Sequence, residues 1–170
     1  MSASAPAILE KNERSTRKPR VGFLGVGWIG AHRLGAIAKS QTIEIAAIAD
    51  PVAALVEEAS AHAPEARRLS DLDQLLEQEL DAVVIATPSA LHAAQAIAAL
   101  ERGVAVFCQK PLGRDTAEVR AVIDAAREAD RLLGVDLSYR FTKAMQRIRP
   151  LVRSGALGKI YAVDLVFHNG

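Results

Sequence analysis

The sequence predicts an α/β fold, a doubly wound and mostly parallel sheet with helices on both faces. From Arg20 onward short apolar runs alternate with longer Ala-rich segments whose charges recur at helical spacing, which is the rhythm of strand then helix, repeated. Half of the 170 residues are apolar but only seven are Phe, Trp or Tyr. The core must therefore be built from Ala, Val, Ile and Leu, a composition that lets helices lie close on a sheet.

The first strand covers Val21 to Leu24 and runs into Gly25-Val26-Gly27-Trp28-Ile29-Gly30, after which a helix reaches about Lys39. A second strand, Ile43 to Ala49, ends at Asp50, and Pro51 suits the first turn of the next helix because it has no amide hydrogen to lose there. Asp81 to Ala86 is a buried strand closed by Thr87-Pro88. Ser89 then opens an Ala-rich helix that stops at Gly103, a residue suited to the left-handed position after a helix end. Val104 to Cys108 forms the next strand. Asp115, with Glu118 three residues later, has the spacing of a capping box for a helix to about Ala129. Leu132 to Leu137 closes the series of strands, and a helix from about Thr142 to Arg153 should be kinked or interrupted by Pro150.

Three segments follow from this reading. Residues 1–19 mix small polar residues with both charges and read as a disordered arm. Residues 20–153 form the α/β domain. In residues 154–170 the stretch Ile160 to His168 alternates Tyr161, Val163, Leu165 and Phe167 with smaller or polar residues, giving one apolar face at period two. A single strand of this kind cannot bury itself. It reads as the first strand of a truncated α+β domain, and it offers an edge for self-association of the chain.

Composition removes several classes of function. With 21 Lys+Arg against 20 Asp+Glu the net charge is +1, so the broad electrostatic footprint of a nucleic-acid or polybasic membrane-binding protein is missing. One cysteine, Cys108, allows neither an internal disulfide nor a multi-cysteine metal cluster. No run approaches the ~18 apolar residues of a spanning helix. The expectation is a cytoplasmic protein without membrane, nucleic acid or metal.

A lone G-x-G-x-x-G is weak, but here it follows a strand, opens a helix and has an acidic residue 20 positions after its last glycine. In that context it predicts a Rossmann-type dinucleotide site. Gly25 allows the tight turn, Gly27 lets the backbone approach a pyrophosphate, and Gly30 lets the helix pack near the strand, with the helix amides facing the phosphates. Trp28 and Ile29 begin that helix, and Trp28 is placed to pack beside the phosphates. Asp50 would accept hydrogen bonds from the adenosine ribose. A 2′-phosphate there would meet like charge, costing up to ~4 kcal/mol at 4 Å with an effective dielectric near 20. No Arg follows in Pro51-Val52-Ala53-Ala54, so NAD is preferred to NADP.

Two further clusters lie at strand ends, Thr87-Pro88-Ser89-Ala90-Leu91-His92 and Gln109-Lys110-Pro111. With these, with Asp50-Pro51 and with Ser154-Gly155-Ala156-Leu157-Gly158-Lys159-Ile160, the sequence resembles the glucose-fructose oxidoreductase and myo-inositol dehydrogenase (Gfo/Idh/MocA) family from Arg20 onward. The resemblance implies a dinucleotide-binding domain followed by a substrate domain on a large open sheet. It also implies hydride transfer between a nicotinamide cofactor and a secondary alcohol of a sugar or cyclitol.

By the same resemblance Lys110 matches the lysine of a Glu-Lys-Pro motif near both nicotinamide and reacting hydroxyl, where it could donate a hydrogen bond to a developing alkoxide or join a proton relay. Gln109 stands where Glu is usual, keeping hydrogen bonding and losing a charge. Pro111 is implied to follow a cis peptide. Thr87 and Pro88 would line the nicotinamide side of the cleft; for His92, contact with the cofactor and a helix-capping role both stay open. Arg140, after the last strand, is at a position often polar or basic in the family. The family's further acid-base pair lies beyond Gly170 and is not assigned to His168. The rival reading is a non-catalytic nucleotide-binding or interaction module.

Overall fold

A computed structural model of the chain describes residues 17–166. Six strands form one sheet, β1 (Arg20–Leu24), β2 (Glu44–Ala49), β3 (Arg67–Leu69), β4 (Ala82–Ile85), β5 (Ala105–Gln109) and β6 (Leu133–Asp136). Their order is β3-β2-β1-β4-β5-β6, and every neighbouring pair is parallel. Each parallel step needs a crossover, and the helices supply it: α1 (Trp28–Ser40), α2 (Ala53–Ser60), α3 (Leu72–Leu76), α4 (His92–Glu101) and α5 (Thr116–Glu128). A sixth helix, α6 (Lys143–Arg153), follows the sheet.

The sheet is covered on two faces. On one, Leu34 of α1 and Val56 and Ala59 of α2 pack on Val21, Phe23, Ile48 and Val84. On the other, Leu75 of α3, Ala93, Ala96, Ala99 and Leu100 of α4, and Val122 and Ala126 of α5 pack on Leu24, Ala47, Val83, Ile85, Val106 and Cys108. Alternate residues of one strand thus enter opposite cores, as at Val83 and Val84. Phe23 is the one aromatic residue in the buried core of the described residues, so the expected aliphatic core is present. Gly103 takes φ +77 after α4, the left-handed helix stop that its position in the sequence predicts.

Elsewhere the structure corrects the sequence. β3 and α3 were not anticipated, because β3 has three residues and two are arginines, which carry no apolar run. Pro51 is not in the first turn of α2; Val52 is the N-cap, one residue later, since the Asp50 carboxylate takes the Val52 N–H (2.9 Å) and bends the chain there. Ser89 opens a short 3-10 turn to Leu91, and α4 begins only at His92. Half of the capping box at Asp115 forms: its side chain accepts from the Glu118 N–H at 2.9 Å, while Glu118 returns to the Arg114 N–H at 2.7 Å, not to Asp115. α6 runs through Pro150 without a break; the helix is exposed, so the carbonyl that the proline leaves without a helical partner can turn to water.

The largest correction concerns the C-terminal segment. Residues 160–166 enter no strand, and Tyr161, Val163 and Leu165 stand in solvent, Leu165 at 90%. The period-two pattern is there, but a strand exists only through its partner's hydrogen bonds, and no partner strand lies beside it among the described residues. Phe167 and His168 lie outside the described residues. So do residues 1–16 of the proposed arm. Its last residues are bound: the Arg17 guanidinium grips Asp81 through two 2.8 Å bonds, and the Pro19 carbonyl accepts the Glu44 N–H at 2.9 Å.

Candidate functional site

The sheet order reverses between β1 and β4, and at the carboxyl ends of these strands a crevice is expected because the following helices leave to opposite faces. A cleft of about 490 Å³ opens there. Its walls come from Gly25 and Gly27 after β1, Asp50 to Val52 after β2, Ser70 to Leu72 after β3, and Ala86 to Pro88 with Leu91 and Gln95 after β4.

The glycines divide the labour as their spacing suggests. Gly25 holds φ +83, and a Cβ there would lie 2.7 Å from the Thr87 nitrogen, so the two strand ends meet closely only through glycine. A Cβ on Gly30 would fall 2.0 Å from the Gly25 carbonyl oxygen, which sets how near α1 starts to β1. At Gly27 a Cβ would meet nothing within 4 Å. Space is therefore open beside that backbone, and Gly27 caps α1 with no side chain on its free amides. Uncapped amides carrying the positive end of a helix, with room above them, fit an anion such as a pyrophosphate.

Asp50 is buried, and its two oxygens are spread over the site: Oδ2 accepts the Val26 N–H at 3.0 Å and Oδ1 the Val52 N–H at 2.9 Å. One carboxylate thus fixes the glycine turn and the entry to α2, while its remaining lone pairs border the cleft. Asp71, exposed on the opposite rim, is held below the usual carboxylate range by the backbone amide of Gln74 and the hydroxyl of Ser70. Arg68 borders an adjoining hollow with Asp50, yet its guanidinium is bonded to Ser60 at 3.0 Å and paired with Glu57 at 3.5 Å.

Thr87 donates to the Gln95 side-chain oxygen at 2.5 Å. His92 is 1% exposed, and its ring nitrogens lie 2.8 Å from the Thr87 carbonyl and 2.6 Å from the Pro111 carbonyl. His92 is thus buried between the turn after β4 and the turn after β5, one ring nitrogen facing a carbonyl of each. The Lys110-Pro111 bond is cis. Lys110 is exposed at the end of β5, and its N–H is accepted by the Gln109 side-chain oxygen at 2.8 Å.

The structure brings Gly25, Gly27, Asp50, Thr87 and Pro88 into one cleft, with Gly30 beneath it and Gln109 and Lys110 on the next strand end. Trp28 opens α1 and is 77% exposed beside the glycine turn, edge-on to His32, and Ile29 follows it half-buried. Arg140 stands apart, bordering a separate hollow with Met145 and Arg149. Cys108 is fully buried, and burial pushes its thiol up to about 12, which suits a core residue and not a nucleophile. Among the described residues no His, Cys, Asp and Glu cluster could hold a metal, and no helix is long and apolar enough to cross a membrane.

Sequence reasoning missed the wall made by Ser70, Asp71 and Leu72, together with Gln95. The signal was present for the first: Asp71 stands three residues before Gln74 at the head of an apolar run, and it does cap α3, accepting the Gln74 N–H at 2.9 Å. Gln95 is one polar residue in an Ala-rich helix and carries no such signal.

Comparison with known proteins agrees with this geometry. Residues 19–137 match the model of an oxidoreductase family with an NAD-binding Rossmann fold. The rhizopine catabolism protein MocA of Rhizobium meliloti is 33% identical over 145 residues, which is 85% of this chain and 45% of that protein. Inositol 2-dehydrogenase of Rhodococcus jostii is 32% identical over 155 residues, 88% of this chain and 42% of that protein. Among solved structures, the WlbA dehydrogenase of Bordetella pertussis, in complex with NADH and UDP-GlcNAcA, superposes with a TM-score of 0.79 at 32% identity over 85% of this chain and 45% of that one. The scyllo-inositol dehydrogenase of Lactobacillus casei with NAD(H) and scyllo-inositol gives 0.76 at 25% identity, over 84% and 43%. The chain spans less than half the length of these relatives. With the family model covering most of the sheet and the glycine turn, Asp50 and the strand-end cleft in place, the chain belongs to the Gfo/Idh/MocA oxidoreductase family through its NAD-binding Rossmann part.

Proposed function

We propose that the chain is the nucleotide-binding part of a dehydrogenase that moves hydride between NAD and a secondary alcohol of a cyclitol- or sugar-like substrate. The observation that carries this reading is Asp50, a buried carboxylate that organises the glycine turn and borders the cleft at the switch point. Two of the relatives support the substrate class, being named for inositol, and a third holds a nucleotide sugar in its complex. In this reading residues 20–153 are the dinucleotide domain and residues 154–170 lead into the substrate domain.

A nicotinamide bound in the cleft would supply the hydride donor or acceptor. The chain's own residues hold the cofactor and present the lysine. The Gly27 backbone and the first amides of α1 hold the phosphates, Asp50 accepts from the ribose, and Thr87 and Pro88 form the wall toward Lys110. Lys110 donates to the substrate oxygen or passes on its proton. Arg140 would come near cofactor or substrate only with the rest of the protein around it.

NAD is favoured over NADP because Asp50 and Asp71 both border the cleft and Arg68, the cation beside Asp50, is engaged by Glu57 and Ser60. Calorimetric titration with NADH and NADPH tests this. The chain should bind NADH at least about tenfold more tightly, and Asp50→Asn, which keeps an acceptor but removes the charge, should narrow the ratio. Equal affinities in the parent chain would contradict the preference.

A further inference from the structure

Beyond the cleft, one buried charge has no part in the fold's apolar packing. Asp136 ends β6 at 7% exposure, and its register partner on β5 is Gln109. Its Oδ2 takes two donors. One is the Arg33 guanidinium, reaching across from α1; the other is the Gln109 side-chain amide at 3.3 Å. The same Gln109 amide group uses its oxygen to accept the Lys110 N–H at 2.8 Å. An amide engaged at both ends can sit only one way round, since nitrogen must face the carboxylate and oxygen the N–H.

We propose that Asp136 is a positioning residue for Lys110. Charge-paired by Arg33, it orients Gln109, and Gln109 fixes the backbone from which the Lys110 side chain leaves the sheet. Arg33 belongs to α1, the helix whose first turn borders the phosphate site, so Asp136 also ties the phosphate side of the cleft to the lysine side. This explains the amide at 109: a glutamate there would set a second carboxylate against Asp136 across the strand pair. The proposal rests on the nucleotide-binding reading for its consequence in affinity, but the pairing itself does not.

The test is an exchange of groups between the strands. Gln109→Glu, Asp136→Asn and the double variant are compared with the parent for NADH affinity by calorimetry, at a temperature where all four are folded, and for Tm. Each single variant should weaken NADH about tenfold and lower Tm, and the double variant, carboxylate at 109 and amide at 136, should return to within about threefold of the parent, as expected for two groups in one network. Single variants that lose Tm yet bind NADH like the parent would overturn the positioning role. So would a double variant as impaired as the singles combined. If the parent itself binds no NADH, the nucleotide reading fails, and Tm still decides the pair: additive losses overturn it, and recovery in the double variant supports it.

Discussion

Asp50 bears more than one load, whereas His92 and Cys108 act within the packing of the fold. Its place 20 residues after Gly30 points to Asp50 as the ribose acceptor we propose, but its structural role was not legible: two backbone amides depend on it. Asp50→Ala should therefore weaken NADH and also cost stability, about 1–3 kcal/mol for donors left without an acceptor, read as a loss in urea midpoint. A variant that lost NADH affinity with an unchanged midpoint would show that the turn does not need the carboxylate. For His92 the sequence left cofactor contact and helix capping open, and its two carbonyl partners, 5 and 19 residues away in sequence, could not be read from it. His92→Phe should be destabilising by about 1–3 kcal/mol, with Thr87 and Pro111 released from each other. Cys108, its thiol pushed up to about 12 by burial, should resist a maleimide reagent at pH 8 in the native chain and react at once in denaturant. Native labelling at the unfolded rate would remove it from the core.

At the scale of elements, long apolar strands and glycine or aspartate punctuation were readable, and what failed was whatever tertiary partners create. β1, β2, β4, β5 and β6 are found within a residue or two of their expected places, because buried parallel strands are continuous apolar runs. β3 was not, since it is an edge strand held by its pairing with Ala47 to Ala49 and not by its own composition. The segment after Ile160 failed in the opposite sense: its pattern is right, but among the described residues no strand pairs with it. The helices obey the Ala-rich composition by sitting close. Ala96 of α4 is fully buried in the core, so Ala96→Leu should overpack that face and destabilise by about 1–3 kcal/mol, measured by thermal unfolding. At the opposite end of the sheet from the cleft, Arg17 and the Arg20 N–H converge on Asp81, and the hydrogen-bonded Arg17 guanidinium holds this carboxyl below the usual range. A carboxyl with a lowered folded pKa adds stability above its unfolded value and loses it as pH falls through the folded one. The parent should thus lose stability below about pH 4, the ordinary carboxylate value, and Asp81→Asn should lose less over that interval. Parallel pH curves for the two would contradict the pairing.

For the whole molecule, the sheet's switch point places the cleft, and the cleft's chemistry supports the function we propose. The cofactor half of that account was legible because phosphate and ribose recognition is local in sequence, one turn and one strand end. The substrate half was not, since recognition of hydroxyl stereochemistry needs walls that these residues do not build. Tyr161, Val163 and Leu165 leave apolar surface in solvent, and we expect it to drive self-association, so Val163→Lys or Leu165→Lys should shift the size-exclusion profile toward smaller species at equal concentration. An unchanged profile would count against that contact. The central claim is the nucleotide cleft itself. Trp28 is the only tryptophan and lies at the first position of α1, beside Gly27, so its emission reports on the phosphate site we propose. Titration with NADH should give saturable quenching that NADPH reproduces only at higher concentration; saturation by neither, with calorimetry equally flat, would contradict the account.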